Sequence, residues 1–169
     1  VIIGDTKDEL GGSEYFEYIH KFRGGNCPTV DFKESKKNMK SVLDSIKQQI
    51  PKSVHDCSKG GLAVAVAELC MTNQIGCKVS LNKVPGEKLT DDRILFSESH
   101  SRYLLTIDEK NIKKLESILK KNKVSFQIIG KFGGKKIQFT NGTKSIITLG
   151  VDKAQKTWLN SLKNLVLHS

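Results

Sequence analysis

Arginine, paired cysteines and long apolar runs are scarce or missing in this chain of 169 residues. Three arginines stand among 28 basic residues, so the formal charge of +10 comes almost entirely from lysine. Dispersed lysines are typical of a solvated surface, whereas nucleic-acid binders more often cluster arginine between exposed aromatics. No apolar run approaches the roughly 20 residues of a membrane span, and we expect no secretory segment. We therefore expect no nucleic acid and no membrane as partner, although a basic surface suits an acidic protein subunit or a phosphorylated substrate.

The four cysteines form no Cys-x-x-Cys pair and no spacing typical of zinc ligands. Cys70 ends an apolar helical pattern and Cys77 opens a strand pattern, so both fit buried free thiols in a reducing compartment such as the cytoplasm. The chain begins with Val1 and has no initiator methionine. We therefore expect one domain over residues 1–169 that belongs to a longer polypeptide.

The stretch from His55 to Cys70 is typical of a strand end, a tight turn and a helix. Ser58 has the chemistry of an N-cap, and Gly60 and Gly61 allow unusual backbone angles and close approach of another group. A helix N-terminus behind two glycines offers free N–H donors and partial positive charge, which suit a phosphate or a carboxylate. A tight entry into a well-capped core helix explains the same residues without a ligand.

The residues before this turn could also suggest a nucleophilic site. His55 and Cys57 would point to the same face of a strand. No separate base and orienting residue can be assigned, so packing is the better interpretation of Cys57. Asp56 is interpreted as a residue that shapes the turn, since a lone aspartate does not make a metal site.

Hydrophobic periodicity predicts helices and strands in mixed order. Helices are expected at 14–22, 31–50, 109–121 and 154–167, and strands at 1–3, 76–81, 103–107 and 126–129. Asn141-Gly142 between two alternating runs predicts a hairpin of 136–140 with 144–149. This mixture predicts an α+β fold, with a mixed β-sheet and helices packed mainly on one face.

Two of these helices are recognised by an apolar stripe. The second carries its stripe at steps of three or four residues and is closed by Pro51, which cannot continue the hydrogen-bond ladder. The last helix is also expected to have one apolar side. The stripe residues are Met39, Leu43, Ile46 and Ile50 in the second helix, and Trp158, Leu162, Leu165 and Val166 in the last.

Three segments together resemble one family. His-Asp-x-Ser-x-Gly-Gly-Leu at 55–62, followed by an alanine-rich helix, is similar to the C-terminal domain of the aminoimidazole ribonucleotide synthetase superfamily. Gly-Asp-Thr-Lys-Asp-Glu-Leu-Gly-Gly-Ser-Glu-Tyr at 4–15 resembles the start of the last synthetase domain in formylglycinamide ribonucleotide amidotransferases. Leu-Phe-Ser-Glu-Ser-His-Ser-Arg at 95–102 resembles a segment of the same domain. The resemblance spans nearly the whole chain, and it implies the fold of that superfamily's C-terminal domain.

The resemblance implies an ATP-dependent carbon–nitrogen ligase of purine biosynthesis. The reaction would convert formylglycinamide ribonucleotide, ATP and glutamine-derived ammonia into formylglycinamidine ribonucleotide, ADP and phosphate. ATP and Mg²⁺ are implied for the full enzyme, with no cofactor assigned with certainty to this chain. Implied partners are the preceding domains of the same subunit, a glutaminase subunit and a small accessory subunit. Because the family's catalytic histidine, metal carboxylates and most ATP contacts lie in the preceding domains, we expect this chain alone to be inactive.

The segment around Glu98 supplies the other candidate residues. In the family's first half the matching segment helps to hold the ribonucleotide, but His100 stands where an amide side chain is expected there. This implies the second, pseudo-symmetric half, which holds a structural nucleotide or no ligand. Arg102 would pair with Glu98 across a turn or bind phosphate. The predicted substrate- or phosphate-binding residues are Ser58, Gly60, Gly61, Glu98, Ser99 and Arg102; the predicted loop-shaping residues are Asp56, Gly11, Gly12 and Ser13; no catalytic or metal-binding residue is assigned.

Two other functions are compatible with the sequence. A free-standing module could bind a phosphorylated ligand or an acidic partner through its lysines. The chain could also be another member of the superfamily, such as an aminoimidazole ribonucleotide synthetase, although the 6–13 segment argues against that member.

Overall fold

The computed structural model describes residues 1–25 and 27–167, and side chains as far as residue 161. It divides into two compact units. The first unit consists of Val1–Ala65 and Lys83–Ile129, and the second of Val66–Asn82 and Gly130–Ser169. The single domain expected over residues 1–169 stays a prediction.

Helices and strands alternate irregularly along the described chain. The strands are β1 Ile2–Ile3, β2 Pro51–Asp56, β3 Cys77–Ser80, β4 Tyr103–Ile107, β5 Phe126–Gln127, β6 Gly130–Phe132, β7 Lys136–Asn141 and β8 Lys144–Gly150. The helices are α1 Glu14–Tyr18, α2 Phe32–Lys47, α3 Gly61–Asn73, α4 Asp91–Phe96, α5 Ile112–Lys121 and α6 Val151–Leu167, with short 3-10 turns at Leu81–Lys83 and Glu109–Asn111.

The first unit contains a four-stranded antiparallel sheet in the order β2-β4-β1-β5. The apolar run of β4 lies between β2 and β1, as its composition predicts for a central strand. The core of this unit joins β1 and β4 to α2 and α5 through mutually packed, buried side chains. These are Ile3, Val42, Ile50, Leu105, Leu115, Leu119 and Val124.

The second unit contains a mixed sheet in the order β6-β3-β7-β8. β3 pairs in parallel with β7, while β6 and β8 pair antiparallel with their neighbours. The hairpin predicted from Asn141-Gly142 is confirmed as β7 and β8. The α+β class is confirmed, with two sheets in place of the single mixed sheet expected.

Helix α2 differs most from the sequence-based expectation. It ends at Lys47, so Pro51 opens β2 instead of closing the helix. An apolar stripe usually marks the buried side of a helix. Here Met39, Leu43 and Ile46 are exposed. The buried side is instead largely small and polar, formed by Ser35, Asn38, Ser41, Val42 and Ser45.

Hydrogen bonds explain why the polar side of α2 faces inward. The Asn38 side-chain amide donates to the Ser101 carbonyl at 3.0 Å. Asn122 donates from its side-chain amide to the Ser41 hydroxyl at 2.9 Å. Buried polar groups with such partners cost little, and short side chains let the helix approach its neighbours closely. Periodicity counts apolar residues only, so it cannot detect this arrangement.

Two further helices differ from their predicted bounds. α1 ends at Tyr18, and the chain then turns at Lys21, which has a left-handed φ of 53°. α4 lies where no helix was predicted from the sequence, and its six residues are too few to show a period. The apolar side predicted for α6 lies outside the described side chains at Leu162, Leu165 and Val166, whereas Trp158 is exposed.

The described cysteines are free thiols, with Cys57, Cys70 and Cys77 buried and Cys27 exposed. The buried free thiols expected at positions 70 and 77 are therefore confirmed. Among the described residues, no helix has the length and apolar character that a membrane crossing requires.

Candidate functional site

Three predicted segments meet in the first unit around the side chain of Glu98. We call them the glycine-turn cluster: Gly11–Ser13, Asp56–Gly61 and Ser97–Arg102. The Glu98 Oε1 atom accepts a hydrogen bond from the Gly60 N–H at 2.8 Å and another from the Glu14 N–H at 3.3 Å. One carboxylate therefore connects the starts of α1 and α3.

Glu98 fills the position that the sequence suggested for a bound anion. Free N–H groups at a helix start carry partial positive charge, which a carboxylate stabilises as a phosphate would. Lys59 adds a positive charge beside the cluster through an ion pair with Glu14, at 3.2 Å between Nζ and Oε1. The anion at this turn is supplied by the chain itself.

The N-cap predicted at Ser58 is wrong. Helix α3 begins at Gly61, and the Ser58 hydroxyl donates to the Asp56 carboxylate rather than accepting from the first helical turn. The Ser58 carbonyl accepts the Gly61 N–H at 3.0 Å. Glu98 takes the role that a capping side chain from the preceding turn would have filled.

Gly60 and Gly61 are both in the left-handed region, with φ of 74° and 61°. A Cβ on Gly61 would lie 2.4 Å from the Ser97 carbonyl oxygen and 2.8 Å from that of Leu95. Such distances are below any van der Waals contact, so α3 can approach the end of α4 only because residue 61 has no side chain. The close approach expected from the glycine pair therefore involves the chain's own backbone.

Ser97 and Ser99 are fully buried and hold the loop that precedes Gly11. The Lys7 N–H donates to the Ser99 hydroxyl at 3.0 Å, and the Glu9 N–H donates to the Ser97 hydroxyl at 3.2 Å. The Ser97 hydroxyl in turn donates to the Lys7 carbonyl. The Ser-Glu-Ser order thus places a bridging carboxylate between two hydroxyls that bind the neighbouring loop.

Arg102 is almost fully buried, with 1% of its surface exposed. Its guanidinium binds other groups of the chain. Nε donates to the Ser99 carbonyl at 3.0 Å, one terminal nitrogen donates to the Thr6 hydroxyl at 3.1 Å, and the other donates to the Ser97 carbonyl. Burial lowers the pKa of Arg102 from its usual value, because removal from water disfavours the charged form. The structure records no bond from its guanidinium to Glu98 among the described contacts.

The first glycine turn shapes the start of α1. The Gly12 N–H donates to the Gly24 carbonyl at 3.0 Å, and Gly12 has a left-handed φ of 71°. Ser13 is the N-cap of α1, accepting from the Phe16 N–H at 3.2 Å. Gly11 lies against Gly25, where a Cβ on residue 25 would come within 3.0 Å of the Gly11 Cα.

The side chains of residues 55–57 do not form a base and a nucleophile. Burial raises the pKa of the Cys57 thiol to about 11, so it is protonated at neutral pH. The His55 ring donates from Nδ1 to the Asp56 carbonyl oxygen at 2.6 Å. The hydrogen bond from the Ser58 hydroxyl lowers the pKa of Asp56, whose carboxylate therefore takes part in the turn. This agrees with the interpretation of Cys57 as a packing residue.

Sequence reasoning missed three members of this network. Thr6 is buried and accepts from Arg102, Ser97 holds the 7–9 loop, and Glu14 contributes its N–H to Glu98. The repeated serine on either side of Glu98 was a usable signal for Ser97. Thr6 and the Glu14 N–H offered none, because their partners lie more than 80 residues away in sequence.

Two of the predicted phosphate-binding residues already use their donors within the chain. Gly60 donates to Glu98, and the guanidinium of Arg102 is turned to Ser97, Ser99 and Thr6. In the described part of the chain no group of three or more His, Cys, Asp or Glu residues is placed to hold a metal ion. The phosphate-binding residues therefore stay a prediction, which requires Glu98 to release the Gly60 N–H.

We expect Glu98→Gln to lower the free energy of unfolding by about 1 kcal/mol, because the amide keeps one acceptor oxygen but loses the charge at two helix starts. Chemical denaturation of the purified chain measures this change. Glu116→Gln on α5 is the matched control, since Glu116 makes an exposed ion pair with Lys120. That control should change stability by less than about 0.5 kcal/mol.

The original chain and Glu98→Gln also test whether the glycine turns bind an anion. If the turns bind phosphate once Glu98 has lost its charge, added phosphate should raise the unfolding midpoint of Glu98→Gln more than that of the original chain. An equal response in both proteins would contradict anion binding at this position. Equal stability of Glu98→Gln and the original chain would contradict the bridging role of the carboxylate.

The fold and the glycine-turn cluster define a class: an α+β protein in which a serine-flanked glutamate connects two glycine turns. The chain belongs to the family described as AIR synthase related protein, C-terminal domain, whose model matches residues 1–140. The resemblance inferred from the three sequence segments is thereby confirmed.

Curated relatives of this chain include subunits named PurL. The chain is 36% identical over 166 residues to phosphoribosylformylglycinamidine synthase subunit PurL of Methanocaldococcus jannaschii, covering 98% of this chain and 22% of the relative. The PurL subunit of Thermococcus gammatolerans is 40% identical over 138 residues, covering 82% of this chain and 19% of the relative. The chain thus spans about a fifth of the length of these relatives.

Solved structures show the same fold. A structure of Thermotoga maritima PurL complexed with FGAR has a TM-score of 0.82 at 17% identity, covering 91% of this chain and 27% of that one. Another structure of that protein, complexed with ATP, has a TM-score of 0.73.

Proposed function

We propose that this chain is a non-catalytic part of a phosphoribosylformylglycinamidine synthase. The whole enzyme would be an ATP-dependent ligase that joins glutamine-derived ammonia to formylglycinamide ribonucleotide. The observation that carries the proposal is the match of 98% of this chain to the PurL subunit of Methanocaldococcus jannaschii. The complexes of Thermotoga maritima PurL with FGAR and with ATP support the same substrates for the whole enzyme.

The contribution of this chain would be structural. The glycine-turn cluster is closed by its own carboxylate and guanidinium, and Cys57 is a protonated, buried thiol. The carboxylate, the guanidinium and the thiol would each serve contacts within the chain, rather than move a proton or hold a transferring phosphoryl group. The chain would therefore support the reactive residues of the larger subunit and would have no ligase activity alone.

The partners of this chain would be the preceding domains of the same subunit, a glutaminase subunit and a small accessory subunit. A structure described as PurLQS of Thermotoga maritima supports an assembly of this kind. ATP and Mg²⁺ would bind to the larger subunit, as the family resemblance implies, and a solved complex of Thermotoga maritima PurL with ATP supports nucleotide use by the whole enzyme. Mg²⁺ would there neutralise phosphate charge.

A domain replacement tests the proposal. This chain is exchanged for the matched residues of Methanocaldococcus jannaschii PurL, and ADP release is measured with formylglycinamide ribonucleotide, ATP, Mg²⁺ and an ammonium salt. We expect the chimera to retain activity within about 10-fold of the relative, a loss of no more than about 1.4 kcal/mol in transition-state stabilisation. The matched deletion and the isolated chain should both be inactive.

Two results would contradict the proposal. Turnover by the isolated chain would show that it carries reactive groups of its own. A soluble, folded chimera without activity would show that this chain does not serve the function of the region that it replaces.

A further inference from the structure

Helix α2 presents an apolar stripe to solvent. Phe32 is 82% exposed, Met39 47%, Leu43 55% and Ile46 46%. Steps of seven, four and three residues place these side chains along one side of a helix. Exposed apolar groups in a contiguous row cost solvation free energy, and on soluble proteins such patches mark interaction sites.

A row of lysines borders this stripe. Helical geometry places Lys36, Lys40 and Lys47 within about one residue's rotation of the apolar row, on the side away from the buried face. Lys40 pairs with Asp44 on the same helix. The hydrogen bond from Lys40 and, to a smaller extent, the charge of Lys47 lower the pKa of Asp44. In the described part of the chain no ion pair is recorded for Lys36, and both Lys36 and Lys47 are exposed. A matching surface would therefore have an apolar centre and carboxylates at its edge.

Charge argues against a second copy of the chain as the occupant. Antiparallel pairing of two α2 helices along their stripes would bring two lysine rows together, and in either orientation each chain carries a formal charge of +10. Like charges at an interface oppose association.

We propose that the α2 stripe, defined as Phe32, Met39, Leu43 and Ile46, is the docking surface for an acidic, apolar-centred surface on the remainder of the synthetase subunit. This inference rests on the proposed function, which supplies the larger subunit. The matched relatives have about four-fifths of their length outside the region that this chain matches. That remainder is the occupant to which the proposal commits.

The experiment makes the same substitution in two contexts. Leu43→Lys/Ile46→Lys is introduced into the isolated chain and into the chimera with Methanocaldococcus jannaschii PurL. In the isolated chain about half of each side chain already faces water, so the unfolding midpoint should change little. In the chimera we expect ligase activity to fall by at least about 10-fold, and hydrogen exchange in α2 to become as fast as in the isolated chain.

A charge-reversal pair tests the lysine border. Lys36→Glu/Lys47→Glu should lower activity of the chimera at low salt, with a smaller effect at high salt. Lys113→Glu/Lys121→Glu on α5 makes the same change of charge, also with one substitution in the last helical turn, and should leave activity unchanged. Equal effects of the two pairs would overturn the charge component of the proposal.

The outcomes separate this inference from the proposed function. An active chimera that tolerates Leu43→Lys/Ile46→Lys, with unchanged exchange in α2, overturns the docking surface but not the function. A folded, inactive chimera overturns both. Concentration-dependent dimerisation of the isolated chain that Leu43→Lys/Ile46→Lys abolishes would assign the stripe to a second copy. Binding of the isolated chain to anionic lipid vesicles through the same residues would assign it to a membrane surface, and either result overturns the proposal.

Discussion

Replacing Arg102 with methionine is expected to lower the free energy of unfolding by about 3–5 kcal/mol. The substitution removes the donors to the Ser97 and Ser99 carbonyls and to the Thr6 hydroxyl. Relief of the desolvated charge works in the opposite direction. Three buried acceptors at about 1–3 kcal/mol each outweigh that relief. Urea denaturation followed by circular dichroism measures the change.

Two further variants make the Arg102 prediction decisive. Arg102→Lys keeps the charge but not the planar fork, so it should recover part of the lost stability and remain measurable if Arg102→Met does not fold. Arg93→Met is the matched control, because Arg93 makes a partly exposed ion pair with Asp8. It should cost less than about 1 kcal/mol. A loss below that value for Arg102→Met would show that the buried guanidinium does not hold the segment.

Gly61→Ala is expected to destabilise the chain by about 3 kcal/mol, from left-handed strain of about 1–2 kcal/mol and overpacking of similar size. The added methyl would meet the carbonyl oxygens of Leu95 and Ser97, which are backbone atoms and cannot rotate away. Because Gly61 opens α3 beside the end of α4, the strain should fall on the glycine-turn cluster. The same denaturation measurement reports it.

Gly142→Ala separates the cost of left-handed strain from the cost of overpacking. Gly142 has a φ of 57°, close to that of Gly61, but no atom lies within 4 Å of its Cβ position. It should therefore show backbone strain alone, at about 1–2 kcal/mol. Similar losses for the two variants would mean that the close approach at residue 61 does not contribute.

Strands could be predicted where the sequence carries a strong local signal, such as an apolar run or a turn dipeptide. The run at 103–107 is the central strand β4, and Asn141-Gly142 marks the β7–β8 hairpin. The orientation of α2 was not predictable, because its buried side is selected by hydrogen bonds to Ser101 and Asn122 rather than by apolar periodicity. Local sequence does not contain those partners, which lie more than 60 residues away.

The sequence predicted which segments form the candidate site better than it predicted how their side chains interact. The motif segments came together as expected around Glu98. What the sequence could not show is which group satisfies which donor. The turn that the sequence suggested for an external anion is filled by Glu98, and Arg102, predicted to bind phosphate or pair with Glu98, is buried against two carbonyls. Burial and direction of a side chain depend on tertiary structure. Residue types alone therefore could not decide between a bound ligand and contacts within the chain.

The discontinuity of the second unit constrains the order in which the molecule folds. Val79 of β3 pairs with Gly130 of β6, although residues 83–129 between them belong to the first unit. Joining these strands in an unfolded chain requires closure of a long loop, whose entropic cost rises with its length. Once the intervening segment has folded, the loop is effectively shortened and that cost falls. We therefore expect the mixed sheet to assemble after the segment between these strands has compacted, and β3 to pair with β7 late in folding.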